Sequence, residues 1–179
     1  MTTATAPSIT DPLGAALADV YEQARRPVGQ QTFQVRNAQV AVVVDALEGC
    51  LARIASGEWS STAEEAATLT SIVDELRQVQ ALTPKEAILA AKPLTERPCM
   101  LSGWYALELL LGVQQLRLRR LVEGRGVVHD IRTSQWRQLR TDRPRPHVGD
   151  RVNGQRVWRT AAEFREADVA WRREQGWDD

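Results

Sequence analysis

Lysine is nearly absent from this chain. Only Lys85 and Lys92 occur, so almost all positive charge is arginine. That preference alone does not assign phosphate recognition, because genomic base composition produces it too. Histidine is as scarce (His129 and His147), and so is cysteine (Cys50 and Cys99). The two cysteines lie far apart, with no CxxC or Cys/His spacing around them, which argues against a zinc site and against a disulfide framework. Two buried thiols in a cytosolic protein are the expectation. Long hydrophobic runs are missing as well. The longest apolar stretch, "YALELLLGV" at 105–113, contains Glu108 and is too short to span a bilayer. The opening "MTTATAPSIT" has neither a basic start nor an apolar core, so residues 1–10 read as a flexible polar tail, not a signal. A cytoplasmic protein with no membrane partner is expected.

Catalytic signatures are also wanting. The chain has no GxxxxGK[ST], GxGxxG, GxSxG or HExxH. His129-Asp130 resembles the adjacent pair of metal-dependent phosphohydrolases, but such sites need further histidines, and the other one, His147, lies beside a proline-rich segment. Cys50 falls within the apolar stripe of a helical pattern and Cys99 within a Pro-Cys-Met turn, neither a setting that activates a thiol. Glu64-Glu65, Asp74-Glu75 and Glu163/Glu166 read as helix caps and solvated faces. The expectation is therefore a non-enzyme, with no catalytic residues, no cofactor and no metal.

What is present is helical patterning. A chain of 179 residues suits one domain, or one domain with an appendage. Asp11-Pro12 offers an N-cap and a proline at N1, after which Leu13, Leu17, Val20 and Tyr21 share one stripe. The segment "VAVVV" is rich in strand-formers. Helix spacing nevertheless governs it, since Val40, Val43, Leu47, Leu51 and Ile54 recur at steps of three and four before Gly57. A capping box Ser61-x-x-Glu64 opens a helix carrying Leu69, Ile72, Val73, Leu76 and Val79. Thr83, Pro84 and Glu86 repeat the device for a short helix ending at Pro93. A longer one runs from about Ser102 to Gly124. The first half of that helix is apolar nearly all round and is expected to lie buried among the others, with Leu107, Leu110 and Leu111 almost wholly covered.

The composition changes after this. From Arg117 to Arg159 there are twelve arginines against four acids, Glu123, Asp130, Asp142 and Asp150; this net of +8 leaves −8 on the remainder of a neutral chain. Arg117, Arg119 and Arg120 have a sufficient structural reason at the negative end of the long helix. "GRG" at 124–126 reads as a bare stop and turn. "RGVVHDIR" reads as a short strand, "SQWRQLR" as a short helix capped by Ser134, and "TDRPRPH" as an extended linker. "HVGDRVNGQRVW" then reads as a hairpin turning at Asn153-Gly154. A helix with the box Thr160-x-x-Glu163 follows, placing Phe164, Ala167 and Trp171 on one face and ending at Gly176.

The fold expected is mainly α: a bundle of roughly five helices with a small C-terminal β-hairpin plus helix appendage. Its parts are a tail at 1–10, a helical core at 11–124, a basic Pro/Arg-rich connector at 125–147 and a hairpin-helix unit at 148–179. The residues expected to bind a partner are Arg132, Trp136, Arg137, Arg140, Arg143, Arg145, Arg151, Arg156 and Trp158. Arginine forks grip carboxylates or phosphates, and Trp and Arg anchor protein interfaces. Overall neutrality favours a protein partner or self-association, in which this segment docks on an acidic surface. A nucleic-acid-binding accessory protein using the same arginines is the alternative. The pattern of helical bundle and arginine-rich tail is similar in composition to small assembly proteins of phages and mobile elements. That similarity carries no residue correspondence; it implies a structural component, in which case a virion-associated location.

Overall fold

The computed structural model describes residues 9–25, 31–130, 133–138, 151–152, 155–156, 161–174 and 176, at 151–152 and 155–156 and over much of the last helix by backbone alone. The expectations for the tail at 1–8, the "TDRPRPH" linker, the Asn153-Gly154 turn and the Thr160 cap lie outside those residues, and the expected Phe164, Ala167 and Trp171 face falls on side chains that are not described. The fold is mainly α. In chain order it comprises α1 Pro12–Arg25, α2 Phe33–Ala55, α3 Ala63–Gln80, α4 Pro84–Ala91 and α5 Gly103–Gly124, then β1 Val127–Asp130, β2 Gln135–Gln138, β3 Arg151–Val152, β4 Gln155–Arg156 and α6 Ala161–Glu174. Two short 3-10 turns, Lys92–Leu94 and Pro98–Met100, join α4 to α5. No helix among the described residues is long and apolar enough to cross a membrane.

Two compact units divide the chain, one covering Asp11–Arg125 and the other carrying Gly126–Asp179. In the first, each helix starts where a side chain can accept an orphan backbone N–H. Thr32, Thr83 and Ser102 cap α2, α4 and α5. For α3 the box is Thr62 with Glu65, one residue later than the expected Ser61 with Glu64. Both frames fit the sequence pattern, and the reciprocal bonds of Thr62 and Glu65 decide between them.

The apolar stripes meet as their periodicity requires. Leu13, Leu17, Val40, Val43, Leu47, Leu69, Ile72, Leu76, Leu107, Leu111, Leu118 and Val122 are all fully buried. The β-branched run at 40–44 is thus helical, with Val40, Val43 and Val44 buried and Val42 left outside. Packing of the stripe overrides the strand preference of its residues.

α5 packs against α1, α2, α3 and α4. It is not enclosed on every side, however. Leu107 and Leu111 are fully buried, but Leu110 is only half-buried, and Tyr105, Val113 and Leu116 are exposed. Four neighbours occupy part of its circumference and leave one face open.

The second unit departs from expectation at "SQWRQLR". It is a strand, not a capped helix: β2 pairs antiparallel with β1, Val127 opposite Gln138 and His129 opposite Trp136. A strand as short as β1 needs a partner for its N–H and C=O groups, and the following segment is the nearest one. Ser134 sits in the connecting turn at φ +51° instead of capping a helix. β3 and β4 form the second antiparallel pair, with Arg151 opposite Arg156 and Val152 opposite Gln155.

Candidate functional site

The β1–β2 ribbon holds two of the expected partner-binding residues, Trp136 and Arg137. Cross-strand partners share a face, so His129 and Trp136 lie on one side of the ribbon, while Asp130 and Arg137 are diagonal neighbours on the other. The His129 and Trp136 rings meet edge to face, with centroids 5.2 Å apart. Trp136 remains half-buried, an aromatic surface backed by an imidazole. Arg137 differs: only 8% of it is exposed, and its Nε lies 3.6 Å from the Asp130 carboxylate. A guanidinium so enclosed and so paired holds the ribbon together. Arg151 and Arg156 are cross-strand partners in β3 and β4. Arg132, Arg140, Arg143, Arg145 and Trp158 lie outside the described residues.

Among the described arginines of the helical unit, Arg25, Arg36, Arg53, Arg77, Arg117, Arg119 and Arg125 pair with that unit's own acids. Arg117 donates to Glu75 at 2.9 Å and to the Ser71 hydroxyl at 2.9 Å, and Arg119 pairs with Glu123 at 2.8 Å. The last turn of α5 carries no base, so side-chain partners, not the helix end, explain these two residues. Burial pushes the Glu75 carboxyl up, but hydrogen bonds from Gln114 and Ser71 and the Arg117 charge outweigh it, and its pKa is lowered. Arg36, 2% exposed, meets Glu108 between α2 and α5. Desolvation lowers its pKa, opposed by the Glu108 carboxylate.

The residue that the sequence concealed is Arg125, expected to be part of a bare stop. Its Nε and Nη2 donate to the two Asp11 carboxylate oxygens at 2.6 and 3.0 Å. Nη1 reaches both Glu65 oxygens at 2.9 Å, and Nη2 also reaches the Ser60 carbonyl at 3.2 Å. One guanidinium thereby ties the start of α1 and the start of α3 to the end of α5. The fork geometry of arginine is suited to this and a lysine ammonium is not. No local signal marks the residue, since its partners are 114 and 60 positions away.

Enzyme-like features are sparse among the described residues. No three His, Cys, Asp or Glu side chains gather as a metal would require. An open hollow of about 380 Å³ lies beside Phe33, Asn37, Gln80 and Pro84, with no acid, base or nucleophile in its wall. Cys50 is buried and burial raises its pKa, whereas Cys99, expected to be buried, is exposed on the 3-10 turn between α4 and α5. The short Pro98–Met100 turn buries none of its residues, so the thiol has no core to enter.

No protein-family model, curated protein or solved structure matches the chain.

Proposed function

We propose that the protein is a non-enzymatic assembly or adaptor protein, whose arginine- and tryptophan-rich C-terminal part docks on an acidic surface of a partner or a neighbouring subunit. The observation that carries this reading is the division of labour among arginines. In the helical unit Arg36, Arg77, Arg117, Arg119 and Arg125 all pair with carboxylates of the same unit. Meanwhile Asp19, Asp45, Glu64 and Asp74 stand exposed on it, the kind of surface a basic segment recognises. In the C-terminal unit Arg137 pairs with Asp130, and the segment from Arg132 to Arg159 holds seven further arginines against Asp142 and Asp150. Trp136, half-buried on a two-stranded ribbon, supplies an aromatic anchor beside that charge. A component of a phage or mobile element, acting in the cytoplasm or in a virion, is the setting this reading fits.

The test replaces Arg143, Arg145, Arg151 and Arg156 with glutamine in the full chain. A fluorescent oligo-glutamate peptide serves as the probe of acidic-surface recognition, and circular dichroism reports the fold. The proposal expects the wild type to bind the peptide and the variant to lose that binding with its helical spectrum intact. A variant that binds as before, or that unfolds, overturns it; unfolding would make these arginines internal clasps.

A further inference from the structure

Six large apolar side chains stand exposed in one stretch of the helical unit: Leu89, Leu94, Met100, Tyr105, Val113 and Leu116. The last three belong to α5 and are 40%, 38% and 61% exposed. At about 3.6 residues per turn, positions i, i+4 and i+11 of a helix fall in nearly one row. The open face of α5 therefore carries three rows side by side. Glu108, Gly112 and Arg119 make one edge, Tyr105 and Leu116 the middle, and Val113 and Arg120 the other edge, while Leu109 is half-buried against the cluster of Val79, Ala87 and Ala91.

We infer that this face is a self-association surface, on which α5 of a second copy packs antiparallel about Gly112. Three features of the rows favour a second copy as the occupant. Antiparallel helices related by a two-fold axis bring like edges together, so the edge Glu108–Gly112–Arg119 meets itself reversed. Glu108 of one copy then lies within a helical turn of Arg119 of the other, opposite charges on both sides of the axis. Both side chains are accessible for this, 41% and 49% exposed, although Glu108 already meets Arg36, and Arg119 already meets Glu123 and the Tyr21 hydroxyl. The contact extends two internal pairs into an alternating row of four charges across the seam. The middle row meets itself as Tyr105 against Leu116, burying both. Gly112 sits at the crossing point, where a Cβ would meet nothing within 4 Å. The backbone is open there to the close approach of another helix. An unrelated apolar partner would have to supply this charge order independently, whereas a second copy carries it by symmetry.

The inference rests on residues of α5 alone and does not rest on the proposed docking function. It is tested with the full chain by light scattering coupled to gel filtration. The wild type is expected as a discrete dimer. Leu116→Glu places a carboxylate against the partner's Tyr105 and should weaken the dimer on the order of a hundredfold, leaving circular dichroism unchanged and lowering the thermal midpoint only at protein concentrations where the wild type is dimeric. Gly112→Cys in a Cys99→Ser background should form an interchain disulfide under mild oxidation, because the two-fold axis puts the residue opposite itself. A monomeric wild type, an L116E variant that stays dimeric, or a Gly112→Cys chain that does not cross-link overturns the inference. A monomer in which L116E lowers the thermal midpoint would show that another segment of the same chain covers the face.

Discussion

Asp11 and Arg125, the first and last residues of the helical unit, are joined by two hydrogen bonds of 2.6 and 3.0 Å. The pair closes the unit where the chain enters and leaves it. Asp11 also accepts from backbone N–H groups of Leu13 and Gly14, so the same carboxylate caps α1. Glu65, on the other arm of Arg125, likewise belongs to the capping box of α3. Two helix starts thus depend on one guanidinium.

Removal of that guanidinium should be costly. Arg125→Ala leaves two carboxylates facing each other with little solvent, since Asp11 and Glu65 side chains are 18% and 20% exposed. A loss of about 1.5–3 kcal/mol in unfolding free energy is expected, the range for hydrogen bonds to charged groups. Arg125→Lys should recover less than half of it, because an ammonium cannot serve both acids with paired bonds. Urea denaturation of the three proteins measures this, and an alanine variant as stable as wild type would remove the clasp from the account.

Acid should open the same clasp. Burial raises the Asp11 carboxyl, but hydrogen bonds and charge from Arg125 outweigh it, and its pKa lies below the ordinary carboxylate value. A folded pKa below the unfolded one means that the contribution is fully present above the unfolded pKa and is lost as pH falls through the folded one. Stability should therefore drop below about pH 4. Asp11→Asn should be less stable at neutral pH and lose less on acidification; parallel denaturation curves of the two proteins at both pH values would refute the linkage.

Core substitutions along α5 should separate by face. Leu107→Ala and Leu111→Ala remove fully buried side chains and should cost about 2–5 kcal/mol each. Leu110→Ala, half-buried, should cost less than either. Equal losses at all three would mean that Leu110 is covered as thoroughly as its neighbours.

The two thiols should differ in reactivity. Cys99 is exposed, whereas Cys50 is buried with its pKa raised by burial. A thiol reagent should modify one cysteine rapidly in the native protein and the second only in denaturant. Rapid modification of both would contradict the packing of α2.

How far the sequence could be read depended on the range of the forces involved. The helices of the first unit were legible because apolar period and caps are local: Leu69, Ile72, Val73, Leu76 and Val79 form one stripe and are all buried. The box at 61–65 slipped by one residue because Ser61 and Thr62 are followed three residues later by Glu64 and Glu65, and only geometry separates the frames. "SQWRQLR" departs from the expected helix for a related reason. Ser134 is a good cap, but the pairing demand of Val127–Asp130 comes from outside the segment. In the candidate site, neither the ring contact of Trp136 with His129 nor the enclosure of Arg137 by Asp130 is legible, because both depend on register across a ribbon. Arg125 was invisible locally, since its chemistry exists only when distant helix starts converge.

The most direct test of the central proposal is a competition. A fluorescent oligo-glutamate peptide is bound to the full chain, and duplex DNA of equal charge is added while anisotropy is followed at several salt concentrations. The docking account predicts that the peptide stays bound, and that replacing Arg143, Arg145, Arg151 and Arg156 with glutamine abolishes its binding. Displacement by DNA, with DNA affinity falling at a log–log salt slope of about −0.9 per phosphate contact, would contradict it and assign the arginines to nucleic acid.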